Sequence, residues 1–241
     1  MPGGEPSVPV KRDVKRDKGD AVGAFLDKAR AVPAVATGAA RRGRLLFCMD
    51  ATASREPSWD RAARIQGEMF VAAEALGGLD VRLAFYRGFD DFKASKWTSN
   101  GVELARLMSR VSCLAGNTQI GRVFAFAAEE TRRQKLDALV FVGDCFEESL
   151  DAVGALAGQL GFLGVPAFLF QEGDNAVAAH AFAQFARLTN GQHCRFDASS
   201  PDALRRLLGA VAAYAAGGAQ AMADYAALHR ITTLRLTRAG P

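Results

Sequence analysis

From Arg44 onward, short apolar runs alternate with segments whose apolar residues recur at helical spacing. The runs are residues 45–49, 138–142 and 165–170, and residues 81–86 and a short segment over 193–196 read as further strands. Between them, Ala62, Ile65, Met69, Ala73 and Leu76 share one helix face. Residues 120–133 form a second helical segment, and Leu150, Val153, Leu156 and Leu160 mark a third. Val177, Ala181, Phe185 and Leu188 mark a fourth. A strand that is apolar at every position is covered on both faces, as strands of a parallel sheet are. The alternation predicts an α/β fold: an open, doubly wound, mostly parallel sheet of about six strands with helices on both faces. Residues 92–97 make the sixth strand. The turn leading to it is too short for a helical crossover, so this strand is expected to run antiparallel at an edge.

Local signals place the element ends. Ser58 reads as a helix cap, and Gly77-Gly78, Gly161 and Gly191 read as helix stops. Residues 102–111 read as a short helix. Ser200-Pro201-Asp202 opens a last helix, with proline at its first position and Leu204, Leu207, Leu208 and Val211 on its apolar face. Residues 1–20, where VKRD occurs twice, read as a disordered leader. Residues 21–43 read as a short helix with Val22, Phe25, Leu26 and Ala29 on one side, stopped by Pro33, and then a small-residue linker. The folded unit is expected over 44–217, and a helical extension with a basic tail over 218–241.

Composition narrows the function. The net charge of +4 is scattered, with no basic stripe interleaved with aromatics, which argues against a nucleic-acid partner. No apolar stretch reaches the roughly 20 residues of a membrane span, and no secretory apolar region follows the N-terminus. A cytoplasmic protein without a membrane span is the expectation. Cys48, Cys113, Cys145 and Cys194 form no CxxC pair and read as reduced thiols. Cys48 and Cys145 flank two aspartates of interest, which raises the alternative of a redox-sensitive pair. His180, His193 and His229 show no metal spacing.

The chemistry concentrates at strand ends. LLFCMDATAS places Asp50 directly after an apolar strand, with hydroxyls at Thr52 and Ser54. Asp144 follows another apolar strand in VFVGDCFEE, and Thr118 lies in the glycine-rich loop AGNTQIG before a helix. In open α/β sheets ligands bind beyond the carboxyl ends of the strands, where the strand order reverses. Carboxylate and hydroxyl oxygens gathered there suit a hard cation such as Mg²⁺, which takes oxygen ligands at about 2.0–2.1 Å and keeps several waters. Read singly, each of these residues is an ordinary cap or turn residue. Glu147 and Glu148 are expected to complement the N-terminus of the helix that follows them.

Together these residues resemble the metal-ion-dependent adhesion site of von Willebrand factor type A (vWA) domains of the intracellular bacterial kind. Asp50, Thr52 and Ser54 match the family's Asp-x-Ser-x-Ser, with Thr52 as the one departure that keeps a hydroxyl. Thr118 matches its loop threonine, Asp144 its aspartate after the fourth strand, and NGQHCRFDASSPDAL its late strand and helix start. The resemblance covers residues 44 to 215. It implies a vWA/Rossmann-like fold and a metal held by Asp50, Thr52, Ser54, Thr118 and Asp144. Mg²⁺ is the implied ion, with Mn²⁺ or Ca²⁺ as alternatives. The implied function is non-enzymatic: the ion captures an Asp or Glu of a protein partner, and the chain serves as adaptor or co-chaperone of a MoxR-type AAA+ ATPase. Arg55, Gln119 and Phe146 are expected to surround the ion and set specificity.

Two other readings compete. A haloacid-dehalogenase-type phosphatase also carries Asp after its first strand and binds Mg²⁺, but its general acid would stand where Thr52 is. Ser54 lacks the G-x-S-x-G setting of a hydrolase nucleophile and a histidine placed as its base. The other is a purely structural interaction domain with no ion.

Overall fold

The computed structural model describes residues 42–57, 59, 79–196 and 201–228. The expected leader, the first helix and most of its linker, the helix over 62–76 with its Ser58 cap and Gly77-Gly78 stop, and the basic tail lie outside the described residues. So does the start of the last helix before Pro201 and, of its apolar face, the side chains of Leu204 and Leu207.

Six strands form one sheet: β1 (Gly43–Asp50), β2 (Leu79–Arg87), β3 (Asp91–Ala94), β4 (Ala138–Gly143), β5 (Ala167–Glu172) and β6 (Gln192–Phe196). Five described helices accompany them: α1 (Gly101–Met108), α2 (Ile120–Arg133), α3 (Leu150–Phe162), α4 (Ala176–Leu188) and α5 (Pro201–Leu228). The strand order is β3-β2-β1-β4-β5-β6, and every pairing is parallel except β2 with β3. The doubly wound sheet with one antiparallel edge strand is therefore as the alternation requires. The edge strand is shorter than 92–97: it ends at Ala94, after which the Ser95 N–H still donates to the Leu83 carbonyl and an isolated bridge pairs Val81 with Thr98.

All eight residues of β1 are buried, and alternation sorts them between two cores. Leu45, Phe47 and Met49 face α1 and α5, while Leu46 and Cys48 face α2, α3 and α4. Phe168 meets Tyr214 of α5 edge-on in the first core, and Phe141 meets Phe182 of α4 in the second. The last helix is two segments. Gly217 and Gly218 leave helical geometry, with Gly218 at φ +71°, and the chain turns back. Tyr225 then lies over Gly209, where a Cβ would stand 2.1 Å from its hydroxyl.

Gly161 does not end α3 as expected. It lies inside the helix, where any Cβ would meet the Leu188 carbonyl at 2.0 Å, so it serves close packing against α4. The stop is Gly164 at φ +69°, and Lys135 Nζ donates to the carbonyls of Leu163 and Gly164. After α4, Asn190 takes the left-handed conformation at φ 54° and the Gly191 N–H donates to the Ala186 carbonyl. Among the described residues no helix is long and apolar enough to cross a membrane.

Candidate metal centre

β1 and β4 are neighbours, yet the chain leaves β1 toward β2 and leaves β4 toward β5. Their carboxyl ends therefore bound the crevice at which strand order reverses. Asp50 ends β1, and Asp144 follows Gly143 at the end of β4. A Cβ on Gly143 would lie 3.3 Å from that of Asp50, so the two strand ends pack closely.

A cleft of about 490 Å³ opens there. Thr52, Ser54, Thr118 and Asp144 all line it. Asp50 does not. It is fully buried beneath, and both of its carboxylate oxygens are engaged. Its Oδ1 accepts from the Thr52 N–H at 2.7 Å and the Thr52 hydroxyl at 2.6 Å, and its Oδ2 accepts from the Tyr86 hydroxyl at 2.9 Å. The register explains the last contact: Asp50 and Tyr86 are paired positions on adjacent parallel strands, so their side chains share a face. Burial pushes the Asp50 carboxyl above the ordinary carboxylate range, against the lowering effect of the Thr52 and Tyr86 hydrogen bonds and the charge of Arg55. Burial, with the charge of Asp50 next, pushes the Tyr86 phenol well above its usual value, so it stays a donor. The Thr52 hydroxyl in turn lies 3.1 Å from that of Ser54.

Glu147 and Glu148 serve a different helix from the one expected. They reach back across the cleft to the Thr118 loop and the N-terminus of α2. The Thr118 N–H donates to Glu147 Oε2 at 3.2 Å, and the Glu147 N–H donates to the Thr118 hydroxyl oxygen at 3.0 Å. Glu148 accepts from the N–H groups of both Ile120 and Gly121. The N-terminus of α3 is capped instead by the Ser149 side chain. Thr118 is held from its other side as well. The Leu114 N–H donates to the Ala51 carbonyl, the Gly88 N–H donates to the Leu114 carbonyl, and a Cβ on Gly116 would stand 1.9 Å from the Gly88 carbonyl oxygen. Gly116→Ala must push this loop off the β2–β3 turn. It is expected to cost about 1–3 kcal/mol, the usual range for forced overpacking, read as a lower urea midpoint with circular dichroism.

Arg55, Gln119 and Phe146 do not surround the cleft. Arg55 is buried and donates through Nε and Nη2 to Glu172 Oε2, and through Nη1 to the Asp50 carbonyl. Gln119 Nε2 points at the carbonyls of Arg87 and Gly88. Phe146 packs edge-on against Phe185 in the second core. The cleft walls instead include Glu172, Asp174 and Asn175 from the end of β5. Glu172 closes the apolar run AFLFQE as Asp50 closes LLFCMD, and that shared signal could have found it. Cys145 lines the cleft, whereas Cys48 lies in the second core, and all four cysteines are free thiols. Burial raises the Cys48 thiol far above its ordinary range, which keeps it unreactive.

The donor set fits a hard cation. Among the described residues the buried Asp144 Oδ1 has no hydrogen-bond partner, a state that native structures rarely leave uncompensated. Among the described residues no group of three or more His, Cys, Asp or Glu side chains could hold a metal ion. An ion in this cleft would therefore rest on the hydroxyls of Thr52, Ser54 and Thr118 beside Asp144, with Glu147, Glu172 and Asp174 in the surrounding walls.

No protein-family model matches the chain, and no curated protein matches it. Its likeness is to solved structures. A von Willebrand factor type A protein from Catenulispora acidiphila superposes with a TM-score of 0.56 at 11% identity, over 72% of this chain and 43% of that one. The chain thus spans less than half the length of that protein. The SpRpn10 VWA domain superposes at 0.52 and 11% identity, over 72% of this chain and 95% of that one. A PilB minor pilin mutant from Streptococcus sanguinis superposes at 0.58 and 8% identity, over 79% and 64%. These likenesses show the fold: the chain has the vWA/Rossmann-like architecture.

Proposed function

We propose that the chain is a non-enzymatic, cation-dependent protein-binding module. Thr52, Ser54, Thr118 and Asp144 would hold Mg²⁺ or a similar hard ion, with Asp50 behind them orienting the Thr52 hydroxyl. The observation that carries this reading is the buried Asp144 Oδ1, without a hydrogen-bond partner among the described residues, at a cleft that also gathers the hydroxyls of Thr52, Ser54 and Thr118 and the carboxylates of Glu147, Glu172 and Asp174. The ion would supply a Lewis-acidic centre that keeps exchangeable positions, and an Asp or Glu of a protein partner would fill one of them. The burial of Asp50 speaks for gripping over cutting. A phosphatase nucleophile must reach its substrate, and this carboxylate is covered and bonded on both oxygens. The first partner class to test is the one the family resemblance implies, an AAA+ ATPase of the MoxR kind, in the cytoplasm.

Mg²⁺ is expected to raise the melting temperature of the wild type. At ten times the dissociation constant the stabilisation is about 1.4 kcal/mol, or about 3–5 °C for a domain of this size. Thr118→Ala removes a cleft hydroxyl and is expected to lose the shift. Equal shifts in both proteins would sink the assignment.

A further inference from the structure

Beside the cleft lies a second cavity of about 530 Å³, between the N-termini of α3 and α4. Its walls are mainly apolar: Phe146, Leu150, Val177 and Ala181. Glu147 lines both cavities, so the apolar groove and the polar cleft are continuous across one side chain. The two glutamates that also line the groove are engaged, Glu147 with the Thr118 N–H and Glu148 with the N-terminus of α2, and His180 stands at its edge. An apolar group entering there meets carboxylates already satisfied by hydrogen bonds. Val177 stands at the groove with 61% of its surface exposed, although it belongs to the face of α4 that the helical spacing assigns to the interior. Among the described residues, the fold thus leaves this mainly apolar wall exposed at Val177, immediately beside the oxygen-lined cleft.

We propose that the groove is the second half of the recognition surface. It takes a large apolar side chain from a peptide segment whose acidic residue is held at the cleft cation. The inference rests on the cation-dependent binding reading. Continuity selects this occupant: a cation in the cleft would take the acidic residue, and the adjoining wall, mainly apolar with its two glutamates already hydrogen-bonded, would take the apolar one. Specificity then comes from the spacing between the two side chains. Burying one large apolar side chain stabilises by about 1.5–3 kcal/mol, which is about 10- to 150-fold in affinity.

The test is selection of a random heptapeptide display library on the immobilised full chain in Mg²⁺, with elution by EDTA. Wild type is expected to enrich peptides with Asp or Glu at a fixed spacing from Leu, Ile, Phe, Tyr or Trp. Replacing the apolar residue of an enriched peptide by Ala is expected to weaken its binding at least tenfold by fluorescence anisotropy. On the protein, Val177→Ser is expected to lose the apolar preference while keeping the acidic one, and Val177→Leu is expected to restore it. Enrichment of acidic peptides with no apolar preference would overturn the groove and leave the cation reading intact. No EDTA-eluted enrichment would overturn both. A wild-type dimer that Val177→Ser converts to monomer in sedimentation, with selection unchanged, would assign the groove to a second copy and overturn the proposal.

Discussion

Arg55→Met is expected to destabilise the fold by about 3–5 kcal/mol, the cost of leaving one partner of a buried ion pair behind. The Arg55 side chain is 0% exposed and that of Glu172 is 11% exposed. One carboxylate oxygen accepts from both Nε and Nη2, at 3.1 and 2.9 Å. The same guanidinium donates to the carbonyl of Asp50 and lies over the Trp59 ring. It therefore ties the end of β1 to the end of β5, directly under the cleft. Methionine fills much of the volume but leaves the Glu172 charge desolvated and the Asp50 carbonyl without that donor. For a domain of this size the loss is a fall of about 10 °C in melting temperature. Glu172→Gln in the same background removes the stranded charge and is expected to recover much of the loss. Urea unfolding of the two single variants and the double variant measures the coupling. A double variant no more stable than Arg55→Met would show that the pair is not the origin of the loss.

Burial patterning carried the fold because it depends on neighbours only in aggregate. Every residue of 45–49 is apolar, and a strand of that kind has to be covered on both sides wherever it lies. The antiparallel edge is legible for a similar reason: the five residues between Tyr86 and Phe92 cannot hold a crossover helix. Positions whose role is set by a distant segment are not legible in this way. Gly161 looks like any helix stop until the Leu188 carbonyl is seen pressed against it. The stop three residues later depends on Lys135, which binds the last carbonyls from another element.

The candidate site divides along the same line. Asp50, Thr52, Ser54, Thr118 and Asp144 were nameable because each sits at a fixed offset from an apolar run or a helix start. What holds them was not nameable. Glu147 and Glu148 precede α3 in the chain, so helix-dipole reasoning assigned them to it, while the loop geometry turns them toward Thr118 and α2. Arg55 follows the cation motif and reads as an exposed specificity residue. Its burial depends on Glu172, 117 positions away. Tyr86 reads as the last apolar residue of a strand, and only the pairing register shows that its hydroxyl meets Asp50.

That hydroxyl supports the second large prediction. Tyr86→Phe removes one oxygen from a fully buried ring and keeps its stacking on Phe141, with centroids 6.2 Å apart. The loss falls on Asp50 Oδ2, whose hydrogen bond comes from this phenol at 2.9 Å. A hydrogen bond to a charged group contributes about 1.5–3 kcal/mol, so a stability loss of about 2 kcal/mol is expected in EDTA. The functional consequence runs through geometry. Asp50 orients the Thr52 hydroxyl, and a carboxylate released on one side is free to rotate away from that position. Outer partners of this kind change metal affinity by about 10- to 100-fold. The Mg²⁺ concentration at half-maximal thermal shift is therefore expected to rise at least tenfold in Tyr86→Phe. A purely structural role for Tyr86 would lower the melting temperature in EDTA and leave the Mg²⁺ midpoint where it is in the wild type. An unchanged midpoint would thus remove Tyr86 from the machinery that positions the ion, while a shifted one would place the Asp50 network beneath the cleft in control of what the cleft can hold.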